Sequence, residues 1–176
     1  QEKKKHIFDL SGEVAIVTGG ASGIGRAIAN QMAVFGAYVV IADVNEELGP
    51  EVSNELKEKD VDSIFVKTNV SKKSDVENMV RETVKKYGKL TIAVNSAGVI
   101  GTRLPTVDKI EETDARRLYD IMLFGVFFCC QEEGKQMLEQ GKGKIINVAS
   151  MSGVIVNRGV AGIAPYCGIK SGIIHM

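Results

Sequence analysis

The chain has 176 residues, enough to bury a core and within the size of one domain. Apolar residues make up 44% of it and charged residues 25%, and 22 Lys plus Arg balance 22 Asp plus Glu. That balance gives no electrostatic footing to a nucleic-acid or anionic-membrane partner, and no apolar run approaches the roughly 20 residues of a membrane span.

The opening Lys3-Lys4-Lys5-His6 reads as a solvated tail. The three cysteines, Cys129, Cys130 and Cys167, are odd in number and lack framework spacing, which points to a reducing, cytoplasmic setting. Adjacent Cys129 and Cys130 read as small packed groups. No metal is expected, since His6 and His175 stand at opposite ends. No secretory signal is legible. The chain opens on Gln, so a removed leader or an incomplete sequence stays open.

Val14-Ala15-Ile16-Val17 is a continuous apolar run and predicts a strand buried on both faces. It ends in Thr18-Gly19-Gly20, after which Ile24, Ala27, Ile28 and Met32 recur at helical spacing until Gly36. Residues 38–42 predict a second strand, about 45–59 a charged helix and 63–67 a third strand. Ser74-Asp75-Val76-Glu77 has capping-box spacing, and its helix carries Val76, Met79, Val80, Val84 and Tyr87 on one face. Residues 90–94 make the fourth strand. A loop with Gly101 and Pro105 leads into one long helix, about 114–140, which Gly141 and Gly143 end. The fifth strand is 144–149, and a last helix opens at Tyr166. Alternation without repeat or linker predicts a single α/β domain with a doubly wound parallel sheet and right-handed crossovers. Its ligand belongs at the carboxyl ends of the strands, where strand order reverses.

Thr18-Gly19-Gly20-Ala21-Ser22-Gly23-Ile24-Gly25 joins the first strand to the first helix. Glycines there allow a tight turn, close approach of a pyrophosphate and close helix–strand packing, while free N–H groups favour the phosphate charge. Asp43, eighteen residues after Gly25, ends the second strand near the spacing of a ribose-binding acid. Its carboxylate suits the adenosine 2′-OH and repels a 2′-phosphate, and no nearby cation is evident. The pattern is that of a Rossmann-type sheet and favours NAD over NADP, the alternative role for Asp43 being a solvated cap of the next helix.

Tyr166-Cys167-Gly168-Ile169-Lys170 sets Tyr and Lys four residues apart, on one helical face. A phenol alone is a poor base at neutral pH, and an ammonium one turn away favours the phenolate. Ser150, leaving the fifth strand, is suited to polarise a carbonyl or hold an alcohol oxygen.

Thr18-Gly19-x-x-x-Gly23-x-Gly25, Asn95-Ser96-Ala97-Gly98, Ser150 and Tyr166-x-x-x-Lys170, in that order, resemble the short-chain dehydrogenase/reductase family along the whole chain. The resemblance implies hydride transfer between a nicotinamide and an alcohol or ketone. Tyr166 would be the proton donor or acceptor and Ser150 would orient the reacting oxygen, with Ser152 the fallback. Lys170 would favour the Tyr166 phenolate and hold the nicotinamide ribose. The implied cofactor contacts are Gly19, Ser22, Gly23, Ile24, Gly25, Asp43, Asn69, Val70, Asn95, Ala97, Gly98, Tyr166 and Lys170. The residues 149–153 with Val156-Asn157-Arg158 are similar to polyol and ketose reductases, many of which use NADP, so the cofactor choice stays open. A homodimer or homotetramer is implied, built on the helix from Asp114 and the one after it.

Four positions depart from the family pattern. Asn69 stands for an adenine-contacting Asp, Thr91 for the Asp before the fourth strand's core, and Ser96 for the second Asn of the Asn-Asn-Ala-Gly motif. Met122 stands for the Asn that kinks its helix and holds a relay water, which predicts a weakened proton relay. The family continues beyond the helix in which this chain stops. Without that part the fifth strand would be an apolar sheet edge, so an incomplete chain is expected over a truncated relative. Two other readings remain: a non-catalytic dinucleotide-binding scaffold, and an epimerase or dehydratase on the related extended fold.

Overall fold

The computed structural model describes residues 7–99, 106–155 and 162–176. The Lys3–His6 run, the loop carrying Gly101 and Pro105, and Val156-Asn157-Arg158 lie outside the described residues.

Five strands form one parallel sheet: β1 (Val14–Thr18), β2 (Tyr38–Asp43), β3 (Ser63–Lys67), β4 (Ile92–Asn95) and β5 (Lys144–Asn147). Their order across it is β3-β2-β1-β4-β5. The chain steps outward from β1 to β3, then crosses back to lay β4 on the other side of β1, with Ala15 facing Ile92 and Thr18 facing Asn95. The order therefore reverses between β1 and β4, and the crevice at their carboxyl ends is the expected ligand position.

Helices cover both faces, which is why all five β1 residues are buried and none is polar before Thr18. Ala15 and Val17 point to one side, into a cluster with Ala29 and Ala33 of α1 (Gly23–Val34) and Val52 and Leu56 of α2 (Leu48–Lys57). Ile16 points to the other, packing with Val76 and Met79 of α3 (Lys73–Tyr87) and with Cys129. Burying a side chain the size of Ile16 contributes roughly 1.5–3 kcal/mol.

Three local expectations are corrected. Helix α3 begins at Lys73 and has no side-chain cap, so Ser74 lies inside its first turn. The Asp75 carboxylate is instead drawn to the Asn69 amide at 3.0 Å, where it closes the β3–α3 loop. Strand β4 starts two residues later and ends one later than expected, and β5 ends two residues earlier, the two ends joined by the Asn95–Asn147 hydrogen bond.

The third correction concerns the interior of the long helix, which is helical without a break from Glu112 to Glu139 but is not α throughout. Helix α4 (Glu112–Tyr119) and helix α5 (Gly125–Glu139) are joined by a widened π turn, Asp120–Phe124. There the Gly125 amide donates to the Asp120 carbonyl, one residue further back than in an α-helix. Gly125 lies against Val70, whose Cγ2 would be 2.7 Å from any added Cβ. The helix thus keeps a bend at Met122 without an asparagine there. The last helix, α6 (Ala164–Ile174), starts two residues before Tyr166 with a proline in its first turn, a position needing no amide hydrogen. Ile169 and Ile173 of α6 pack with Leu118, Met122 and Val126, fixing α6 to the bend.

Candidate active site

A cavity of about 770 Å³ opens at the carboxyl ends of β1, β2 and β4 and reaches α6. Gly19, Ser22, Gly23, Ile24 and Gly25 form one wall, Asp43, Asn69 and Val70 another, and Ala97 and Gly98 the floor. Tyr166 and Lys170 close the far end.

The first wall exists because two glycines permit it. Gly19 has φ +68°, and a Cβ there would lie 2.9 Å from the Cα of Ala97. A Cβ on Gly25 would strike the Gly19 carbonyl. Ser22 precedes α1 without capping it, so no side chain there takes up the first-turn N–H groups. Thr18 fastens the turn to the floor, its hydroxyl accepting from the amides of Ser96 and Ala97 at 3.1 and 3.2 Å. This cradle, narrow and lined by amides, fits a dinucleotide pyrophosphate.

Asp43 stands at the end of β2 with both carboxylate oxygens engaged. One accepts from the Ala21 amide of the glycine turn at 3.1 Å, the other from the Asn45 amide at 3.0 Å. Capping of the following segment falls to Asn45, whose side-chain oxygen accepts from Glu47 and Leu48. Asp43 is thus braced toward the cavity. Asn69 uses its side-chain oxygen on Ser71, accepting from the amide at 3.1 Å and the hydroxyl at 2.7 Å.

At the far end, the Lys170 side chain is buried and its Nζ lies 5.7 Å from the Tyr166 ring centroid. The same Nζ donates to the Val148 carbonyl at 2.6 Å. Burial pushes the Lys170 ammonium below its ordinary range. Ser150 opens a short 3₁₀ turn, Met151–Gly153, its hydroxyl accepting from the Ser152 amide at 3.1 Å. A Cβ on Gly153 would lie 2.6 Å from the Lys170 carbonyl carbon, so this turn sits directly on α6. Neither Ser150 nor Ser152 is on the cavity wall.

Asn95 departs from the sequence expectation. Its side chain is buried and turns away from the cavity into the sheet, where Nδ2 donates to Glu133 Oε2 and Asn147 Oδ1, each at 3.0 Å. Cys130, expected as a small packed group, joins this polar knot at 3.5 Å from Asn147 Oδ1, whereas Cys129 is packed in the core. Sequence reasoning missed Glu133, for a lone acid in a helical stretch carries no signal until its burial is known. It also missed Arg117 of α4, which reaches the cavity wall beside Met122.

Thr91, another departure from the family pattern, ties down the start of β1 by accepting from the Val14 amide at 2.9 Å and donating to its carbonyl at 3.2 Å.

Residues 13–176 match the short chain dehydrogenase family. The chain belongs to the short-chain dehydrogenase/reductase family. It is 38% identical over 167 residues to an uncharacterized oxidoreductase of Thermotoga maritima, covering 95% of this chain and 63% of that one. It is 40% identical over 161 residues to a 3beta-hydroxysteroid dehydrogenase of Mediterraneibacter gnavus, covering 92% and 56%. A crystal structure of a short-chain type dehydrogenase/reductase from Mycobacterium marinum aligns with a TM-score of 0.91 at 30% identity, covering 96% of this chain and 68% of that one. The chain thus spans less than two thirds of the two curated relatives it matches here. Among the described residues no helix is long and apolar enough to cross a membrane.

Proposed function

We propose that this chain carries the dinucleotide-binding and proton-transfer parts of an NAD(H)-dependent oxidoreductase acting on an alcohol or ketone. The observation that carries the reading is the Lys170 ammonium beside the Tyr166 ring, on the same cavity as the glycine turn. A bound nicotinamide would supply the hydride donor or acceptor. Tyr166 delivers a proton to the substrate oxygen or removes one from it. Lys170 holds the nicotinamide ribose, and its seat on Val148 fixes where its charge stands. Ser150, on the turn that rests on α6 just behind the cavity wall at Val148 and Ala149, is assigned the orienting of the substrate oxygen. Gly19, Gly23, Gly25 and the first turn of α1 hold the pyrophosphate, Asp43 the adenosine ribose, and Asn69 and Val70 the adenine side.

Support for NAD over NADP comes from the braced Asp43 carboxylate, which opposes a 2′-phosphate. Among the described wall residues the cations are Arg117 and Lys170, neither on the strand end that bears Asp43. A polyol or ketose is the first substrate class to try. Assembly into a dimer or tetramer through the α4–α5 helix and α6 belongs to the same reading, and exposed Phe124 and Phe127 on the former favour it.

The test is NADH and NADPH oxidation with a panel of ketoses and small ketones, repeated with Tyr166→Phe. Turnover that disappears in Tyr166→Phe supports the reading. Dinucleotide binding with no turnover on any substrate favours the scaffold alternative, for which buried Met122 in the bend is the supporting observation.

A further inference from the structure

Glu133 lies midway along α5 with 0% of its surface exposed. A carboxylate buried so deeply needs a cation or several donors. The α3 cation that reaches this stretch, Lys73, is spent on neighbouring Glu132 at 3.5 Å. Glu133 has one amide donor, Asn95 Nδ2, on its Oε2.

The two hydrogens of Asn95 Nδ2 are used, one on Glu133 Oε2 and one on Asn147 Oδ1. What remains is matched. Among the described residues, Asn95 Oδ1 and Glu133 Oε1 are both buried and both without a hydrogen-bond partner. One is the free oxygen of the carboxyl and the other the single oxygen of the amide that already donates to it, and each is an acceptor without a donor. A single proton on Glu133 Oε1 resolves both vacancies at once. Acid and amide then form a reciprocal pair, N–H to oxygen in one direction and O–H to oxygen in the other. Burial acts in the same sense, pushing the Glu133 carboxyl up to about 7.

The pair sits where the cavity is anchored. Asn95 and Asn147 are the last residues of β4 and β5. Directly beyond Asn95 come the Ser96 and Ala97 amides that hold Thr18, then Gly98 on the cavity floor. Directly beyond Asn147 comes Val148, whose carbonyl seats Lys170.

We propose that Glu133, as a neutral acid, is a positioning residue that clamps the carboxyl ends of β4 and β5 through Asn95 and Asn147. The clamp fixes the cavity floor and the Lys170 seat, a role that rests on the oxidoreductase reading above. Ionisation removes the donor to Asn95 Oδ1, leaves an unpaired buried charge and loosens both strand ends. The groups facing Glu133 leave that proton to it. Asn95 and Asn147 are neutral. On its own helix Cys129 and Cys130 are thiols pushed up by burial, Cys130 with Asn147 partly countering the effect. From α3, Lys73 is held by Glu132.

The experiment compares the wild-type chain with Glu133→Gln, which keeps an acceptor and a donor in place of the acid, and with Glu133→Ala. Infrared spectra are recorded between pH 5.5 and 9, with NADH affinity read by fluorescence and melting curves taken alongside. The wild type should show a buried protonated-carboxyl band that fades as pH rises, and Glu133→Gln should lack it. Wild-type NADH affinity should weaken by roughly threefold or more across that range, while Glu133→Gln should hold the low-pH affinity throughout and Glu133→Ala should be weak at both ends. A missing band at pH 5.5, or a Glu133→Gln pH profile that follows the wild type, overturns the proposal. Absence of NADH binding at every pH would sink the oxidoreductase reading instead. The band and the melting curves then still decide whether the protonated clamp exists.

Discussion

Lys170 on α6 donates to the main-chain carbonyl of Val148 at 2.6 Å, although 22 residues separate them. That bond ties the helix carrying Tyr166 to the end of β5, so the proposed proton-transfer geometry and the sheet geometry are one problem here. Lys170→Met should lower turnover by about 10²-fold or more. It should also weaken NADH binding, since both the ribose partner and the end of β5 lose their fixture. Steady-state kinetics against NADH and substrate separates the two effects. Unaltered turnover would remove Lys170 from the mechanism.

On the proposed reading Asp43 sets the cofactor preference. Asp43→Ser should cut NADH affinity by about tenfold, the scale of one charge-assisted hydrogen bond, while leaving NADPH affinity equal or better. The ratio of the two dissociation constants is the readout. A ratio that stays put would mean the carboxylate serves only Ala21 and Asn45.

Gly25 and Gly134 should behave oppositely. Gly25→Ala places a methyl group against the Gly19 carbonyl and should lower dinucleotide affinity by about tenfold or more, about 1.4 kcal/mol. Gly134→Ala, on α5 with open space around the new Cβ, should instead stabilise the fold by about 0.5–1 kcal/mol. Calorimetric titration and thermal melting on the pair would expose any error in where the close approach lies.

Glu133 gives stability a pH slope. Its carboxyl is raised by burial from 4.5 to about 7, so between those values the folded chain holds a proton that the unfolded chain has lost. Folding takes up that proton, and stability therefore falls as pH rises through this window, by about 3 kcal/mol in all. Below the unfolded value the contribution is complete, and above about 7 it is gone. Glu133→Gln should flatten the slope in denaturant melts at pH 5 and 8. An equal slope in the variant would assign it to other groups.

Met122 fills the inside of the bend with 2% exposure, close to Gly98. Met122→Asn should cost about 1–3 kcal/mol of stability, because an amide enters an apolar pocket. Turnover per folded molecule should rise several-fold if a proton relay is what the methionine lacks. A fall in both would show that the bend needs the thioether's bulk more than a polar group.

The sequence by itself determined the strand and helix alternation, the glycine turn, Asp43 and the Tyr166–Lys170 spacing. These are local: apolar runs, glycines at a strand–helix junction and residues one helical turn apart follow from the chain's own periodicity. Tertiary structure decided the rest. The widened turn at 120–124 that separates α4 from α5 leaves no mark in the apolar spacing, and Gly125 beside it lies against Val70, 55 positions away. Asn95, read as a cofactor contact, turns inward because Glu133 and Asn147 await it from two other elements. The Lys170 seat on Val148 likewise needs α6 laid against β5. Each depends on which groups lose water together, and only the folded packing fixes that.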